Sequence, residues 1–386
     1  MLRHQLDNSK SPVDLGPQPR ILFIKLATAG DLLLLTPAIR AVRDRYPDAE
    51  LDLLTTPDAA PLLADSPLVN AVYTLDLPTV LRPSSLVSDA RSVLANLMRL
   101  LAVKRRRYAA VLLCHHLTLA AGRFKYRAML QILRPRYAIG LDNSHGKFLD
   151  VRVRDDGFGA KHEAEYGLAL ARATGATTPA RRNISVRDLG WPVPVGGSQR
   201  PARITLHAGS GTYSVARRWP AEQFARLARM LHDATGAQIV LVGSAAEVAL
   251  NEHILALMGS PAWAHSTAGE RSFAELAGDL GECSLFVGND SFPMHLAAAA
   301  GIPVVAIFGP SNAGAWQPFV PDTPSRTLTV RRTDLPCSPC FYVGHRLGTP
   351  QGCPARPCLT ELEADTVFRA ALRLLDLGNE SAVPAD

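Results

Sequence analysis

The sequence predicts an α/β protein of two doubly wound parallel-sheet lobes facing a central cleft. Three observations predict it. Short apolar runs alternate with helical patterns along most of the chain, the mark of parallel β-α units. The alternation stops once, at 188–202 (DLGWPVPVGGSQRPA), where Pro and Gly are dense and apolar periodicity is lost, which marks a linker. The length of 386 residues favours about two domains. Open parallel sheets take ligands beyond the carboxyl ends of their strands, so two such lobes put the site between them.

In the first lobe, 21–26 (ILFIKL) reads as a strand, 27–31 as a small-residue loop and 32–46 as a helix stopped at Pro47. Strands follow at 50–55, 71–75, 108–114 and 137–141, and helices at 57–64, 84–107, 119–133 and 162–175. After the linker come a strand at 203–207, a loop to Arg218, a helix at 220–235 and a strand at 238–242. Helical segments at 246–258 and 272–280, a strand at 284–287, a helix at 293–300 and a strand at 304–308 complete the second lobe, and 360–375 is again helical. The expected division is a flexible leader at 1–20, domains at 21–187 and 203–359 around the linker, and a C-terminal helix and tail at 360–386.

Hydrophobic residues are 47% and charged residues 20%, a globular profile. No apolar run reaches the roughly 18 residues that span a bilayer, and the polar first twenty residues do not form a secretory signal. A cytoplasmic location is expected. The net charge of +6 suits nucleotides, phosphates or an anionic membrane face. The arginines are scattered without interleaved aromatics, which argues against nucleic acid.

Four stretches carry candidate chemistry. In IKLATAGDLLLL, a small-residue loop delivers Asp31 to a helix start, where dipole and free N–H groups stabilise an anion. The residue reads as a general base or as a plain helix charge. In LHAGSGTYSVARRWP, Gly209, Ser210 and Gly211 offer backbone N–H groups to an anion, and Arg217 and Arg218 follow with cations. The plain alternative is a loop with two surface arginines. In GNDSFPMHL, Asp290, Ser291 and Phe292 lie between strand and helix with His295 in the first turn, a place suited to pyrophosphate. Alone, His295 reads as structural, and Phe292 as a pocket wall or a packing residue. Glu247 follows a strand end and suits ribose hydroxyls, or is a first-turn charge.

Cys337, Cys340, Cys353 and Cys358 cluster in a Pro-rich loop. In a reducing compartment four thiols raise structural zinc before disulfides, although the spacing is unlike a standard ribbon and favours reduced, loop-packing thiols. Cys114 and Cys283 read as inert core residues. The LysArgArgArg run at 104–107 reads as helix-end charge compensation, with contact to anionic lipid as the sharper alternative.

Together these stretches resemble glycosyltransferase family 9, the lipopolysaccharide heptosyltransferase family. The resemblance is carried by ILFIKLATAGDLLLLTPAIRAVRDRYPDAELDLL, LHAGSGTYSVARRWPAEQFARLA, GNDSFPMHLAAAAGIPVVAIFGPSN and CSPCF, from about residue 20 to 375. It implies a GT-B architecture: two Rossmann-like domains, acceptor mainly on the first and nucleotide sugar on the second, with a C-terminal helix that often crosses back. It implies inverting, metal-independent transfer of a sugar, heptose from ADP-heptose, onto a lipopolysaccharide core or related glycan. No cofactor is required in this picture. Asp31 matches the proposed base, and Arg217 stands where members often have Lys before Trp-Pro. Glu247 matches the ribose-binding carboxylate. Asp290, Ser291 and His295 match the diphosphate loop, with Gly209, Ser210, Gly211, Arg218 and Phe292 completing the donor set. A lipid-linked acceptor would place the enzyme peripherally on the inner face of the cytoplasmic membrane. Two departures touch the donor site: Phe292 replaces a usual Gly, and Arg217 a usual Lys. They keep open the same scaffold using another nucleotide sugar for a surface polysaccharide or small molecule. A catalytically silent nucleotide- or glycan-binding protein is the rival of another class, and a sugar-nucleotide epimerase of similar architecture ranks last.

Overall fold

The computed structural model describes residues 4–5, 12–76, 86–192, 202–211 and 213–380. Residues 1–3 and 6–11 of the expected leader, 193–201 of the expected linker, the first two residues of the helix expected over 84–107 and the tail from 381 lie outside them. The chain divides into two compact units. The first runs to Gly157 and adds Glu163–Arg182 and Asp188–Gly190, and the second takes Phe158–His162, Asn183–Arg187 and the chain from Trp191.

The first unit is built on strands β1 (His4–Gln5), β2 (Arg20–Ile24), β3 (Glu50–Thr55), β4 (Ala71–Thr74), β5 (Ala110–Leu113), β6 (Tyr137–Asp142) and β7 (Val151–Arg154). They form one sheet in the order β1-β7-β6-β5-β2-β3-β4, with every pair parallel. Apart from edge strand β1, this is the Rossmann order 3-2-1-4-5-6, and it reverses between β2 and β5. Ile21–Ile24 is fully buried, as a central strand covered on both faces requires.

The helix expected over 32–46 is two helices, Ala29–Leu33 and Thr36–Arg45. Pro37 explains the break, because it has no N–H for the Leu33 carbonyl and its ring crowds that carbonyl. The Thr36 hydroxyl takes over and donates to Leu33 O at 2.8 Å.

The linker expected from residue 188 also begins later. Asp188 is buried and accepts from Arg40 Nε at 2.9 Å and Arg181 Nη2 at 2.7 Å. A buried carboxylate between two guanidiniums is part of the first unit's packing, whatever the Pro and Gly density after it.

The second unit contains β8 (Arg203–His207), β9 (Gln238–Leu241), β10 (Ala264–Ser266), β11 (Leu285–Asn289), β12 (Val304–Ile307) and β13 (Thr327–Val330). Their order is β10-β9-β8-β11-β12-β13, parallel throughout. The same Rossmann order recurs, with its reversal between β8 and β11. The C-terminal helix Ala364–Glu380 packs on helix Ala221–Thr235 and on β11, β12 and β13 of this unit. Its Val367, Ala371 and Leu374 join the core under Trp219 and Phe224. Among the described residues no helix is long and apolar enough to cross a membrane.

Candidate active site

Each unit presents polar side chains just past the strands where its order reverses. In the second unit these are the ends of β8 and β11. Asn289, the last residue of β11, is fully buried. Its amide nitrogen donates to the carbonyls of Ala208 (2.8 Å) and Gly209 (3.1 Å), and its oxygen accepts from Trp219 N at 3.2 Å. One amide thereby fixes both ends of the loop from β8 to helix Ala221–Thr235. Trp219 closes that loop over the core, its indole N–H donating to Leu362 O at 2.8 Å.

Glu247 lies under the loop. Its Oε1 accepts the N–H groups of Ser210 (3.0 Å) and Gly211 (3.1 Å), and its Oε2 accepts the N–H (2.9 Å) and hydroxyl (3.0 Å) of Ser244. His207 Nε2 is 3.4 Å from Oε2. Burial opposes ionisation here, but the His207 contact and the backbone N–H groups outweigh it and hold this carboxyl well below the usual carboxylate range. This differs from the sequence expectation in two ways. The N–H groups of Ser210 and Gly211 already face an anion, and both oxygens of the expected ribose-binding carboxylate are in use. Gly209 is required by the same packing, since a Cβ there would lie 1.9 Å from Glu247 Oε1.

Arg217 and Arg218 follow the loop. Arg217 Nη1 donates to Asp290 O (2.9 Å) and Oδ2 (3.2 Å), and Nη2 to Ser210 O (2.7 Å). Arg218 Nε is 3.3 Å from Ser210 Oγ, and its Nη2 is 3.9 Å from Glu247 Oε1. Ser291 caps the helix Phe292–Ala299 without bonding its N–H groups. Its hydroxyl instead donates to Asn289 O and lies 2.9 Å from His207 Nδ1. His295 is buried in the first turn. The half-buried Phe292 ring packs on Phe273, with centroids 4.7 Å apart. The structure thus gathers Gly209, Ser210, Gly211, Arg217, Arg218, Glu247, Asp290 and Ser291 into one connected network, with Phe292 and His295 on the helix beside it.

In the first unit, Thr28 N-caps the short helix that carries Asp31, and its hydroxyl donates to Asp31 Oδ2 at 2.8 Å. Asp31 lines a pocket with Lys25, Cys114, His116, Glu163 and Tyr166. His116, two residues beyond Cys114 at the end of β5, is clamped between carboxylates. Its Nδ1 is 2.8 Å from Asp155 and its Nε2 3.0 Å from Glu163. Burial works against its charge, but the hydrogen bonds and charges of Asp155 and Glu163 lift the imidazole to about 9. The pocket therefore holds an imidazolium near neutral pH.

Sequence reading missed His207, Asn289 and the His116 clamp. All three stand at the carboxyl ends of central strands, and that position was the available signal.

The four late thiols differ in exposure. Cys337, Cys340 and Cys353 are exposed and Cys358 is buried. Among the described residues no group of three or more His, Cys, Asp or Glu is placed to hold a metal ion. Burial pushes the Cys114 thiol up to about 12 and that of Cys283 to about 11.

Two parallel sheets of Rossmann order, each with polar groups at its switch point, are the architecture of the GT-B fold. A profile of glycosyltransferase family 9 (heptosyltransferase) matches residues 157–349, and the chain belongs to that family. Lipopolysaccharide heptosyltransferase 2 of Escherichia coli K12 is 30% identical over 318 residues, which are 78% of this chain and 85% of that one. The structure of E. coli ADP-heptose lps heptosyltransferase II superposes with a TM-score of 0.66 at 22% identity, covering 94% of this chain and 99% of the other. E. coli heptosyltransferase WaaC with ADP-2-deoxy-2-fluoro heptose gives a TM-score of 0.66 at 17% identity, covering 94% and 100%.

Proposed function

We propose that this glycosyltransferase moves heptose from ADP-heptose to a lipopolysaccharide core or related glycan in one inverting, metal-independent step. The observation that carries the reading is the pair of switch points: an acidic residue, Asp31, beyond β2, and an arginine-bearing loop, with Arg217 joined to Asp290, beyond β8 and β11. A family of heptosyltransferases and a relative named for lipopolysaccharide support the acceptor class.

In the proposed step Asp31 takes the proton of an acceptor hydroxyl. The hydroxyl oxygen bonds to the anomeric carbon as the bond from that carbon to the diphosphate breaks on the opposite face. Arg217 and the N–H groups at the start of helix Phe292–Ala299 stabilise the departing diphosphate. Arg217 leaves its Asp290 contact, wholly or in part, to do so. Glu247 holds the loop, and a ribose contact requires it to exchange N–H partners for hydroxyls. The acceptor is lipid-linked and the enzyme works at the inner face of the cytoplasmic membrane.

A thermal-shift series with ADP, UDP, GDP, CDP and TDP and their sugars tests the donor. A ligand at a hundredfold excess over its dissociation constant stabilises by about 2.7 kcal/mol. A shift selective for ADP and ADP-heptose is expected. A shift selective for another nucleotide overturns the heptose donor and favours the second reading, a different nucleotide sugar, which the Phe292–Phe273 contact in place of a bare glycine supports.

A further inference from the structure

The helix Leu86–Lys104 has few buried residues from Val93 onward. Its inward residues there are Asn96, Leu100 and Val103. Asn96 fixes that face, its Oδ1 accepting from Asp76 N at 3.1 Å. Val93, Leu94, Leu97, Met98 and Leu101 are all exposed, Leu94 at 60% and Met98 at 61%. At 3.6 residues per turn they cover an arc of about 140°. The adjoining helix Ala120–Leu133 adds Phe124, 77% exposed, and Leu119 before it. Of eleven large hydrophobic residues exposed among the described residues, seven belong to these two adjoining helices and the residue before the second. Single exposed hydrophobics are ordinary, whereas a contiguous group marks an interaction surface.

Charge indicates the partner. Between residues 90 and 141 the chain has eleven Lys and Arg and no Asp or Glu. Arg106 is used internally, pairing with Glu50 at 2.6 Å and Asp52 at 3.5 Å. Lys104, Arg105, Arg107, Arg123 and Arg127 have no ion pair among the described residues. A second copy of this chain docked symmetrically would set the basic segment against itself. An anionic surface that also accepts apolar side chains fits both properties: such side chains sink into the headgroup boundary while basic residues meet lipid charge.

We propose that the face formed by these two helices seats the protein on an anionic phospholipid bilayer, with Leu94, Met98 and Phe124 inserting and Lys104, Arg105 and Arg107 at the headgroups. The proposal rests on the lipid-linked acceptor of the preceding reading for its purpose. The vesicle experiment contains neither donor nor acceptor, so its failure leaves that reading standing.

The full chain is sedimented with phosphatidylcholine vesicles and with vesicles containing phosphatidylglycerol. Binding is expected to rise with anionic lipid and fall with salt. Leu94→Glu with Met98→Glu, and separately Phe124→Glu, should each weaken it at least about tenfold, a loss of about 1.4 kcal/mol, without lowering the melting temperature. Arg105→Glu with Arg107→Glu should abolish the preference for anionic vesicles. Hydrogen exchange of the wild type, with and without vesicles, keeps the test independent of the variants' folding, and slowing is expected over 93–107 and 119–127. Wild type that ignores anionic vesicles, or binds them with no slowing there, overturns the proposal. Self-association of the wild type that the same apolar variants abolish also overturns it and makes the face a contact between copies.

Discussion

Arg217 joins the two loops of the second unit's switch point by holding Asp290 through both its carbonyl (2.9 Å) and its carboxylate (3.2 Å). The guanidinium is largely buried, so its charge is balanced in the free protein by a residue of the expected diphosphate loop. Preorganised charge of this kind is typically worth about 10²–10³ in turnover. Arg217→Ala should lose about that factor in kcat. Arg217→Lys should recover part of it, because an ammonium keeps the charge but not the two-pronged contact. Asp290→Asn should couple to Arg217→Ala in a double-mutant cycle, and additive effects would show that the pair does not act together.

Asp31→Asn should reduce turnover by about 10²–10⁴, the usual contribution of a general base. ADP-heptose binding should be unchanged by calorimetry, since the proposed donor groups belong to the other unit. Unchanged turnover would remove Asp31 from the mechanism.

Glu247 titrates well below its ordinary value of 4.5 in the folded chain. A depressed carboxyl stabilises the fold above the unfolded value and loses that contribution as pH falls through the folded one. Glu247→Gln should therefore cost roughly 2 kcal/mol at neutral pH, the scale of hydrogen bonds to a charged group. The difference from wild type should shrink below pH 4.5, which denaturant melts across pH will read. Gly209→Ala should destabilise the same loop, because its Cβ meets the Glu247 carboxylate.

His116 has the opposite sign. Its folded value of about 9 lies above the ordinary 6.5, so its contribution is full below 6.5 and disappears as pH rises through about 9. Wild type should lose a few kcal/mol over that window relative to His116→Gln. Parallel stability curves for the two proteins would contradict a charged clamp.

The sequence was most legible where apolar strands meet small-residue loops. Residues 21–31 announce a strand, a turn and an acid at a helix start, and all three are present. The overlooked strands are mostly peripheral. Strands β10 and β13 are the edges of the second sheet, and β7 lies beside edge strand β1. Strands at or next to a sheet edge need not be apolar on both faces, so AHS, TLTV and VRVR carry no continuous hydrophobic signal. The networks were hidden for another reason. Asn289 and His207 act across about 80 and 40 residues of chain, on Gly209 and Glu247 respectively, and local pattern does not report pairings of that range. The reading of Glu247 shows the limit most clearly: a carboxylate after a strand suggested a ligand contact, while tertiary structure turned it toward the neighbouring loop's own N–H groups.

The most direct test of the account is ADP release from ADP-heptose by the purified protein, with and without a heptose-deficient lipopolysaccharide acceptor and in the presence of a chelator. The account predicts release that requires the acceptor, survives the chelator, yields a heptosylated product by mass and is lost in Asp31→Asn. An inert ADP-heptose mixture, alongside consumption of another nucleotide sugar under the same conditions, would contradict it.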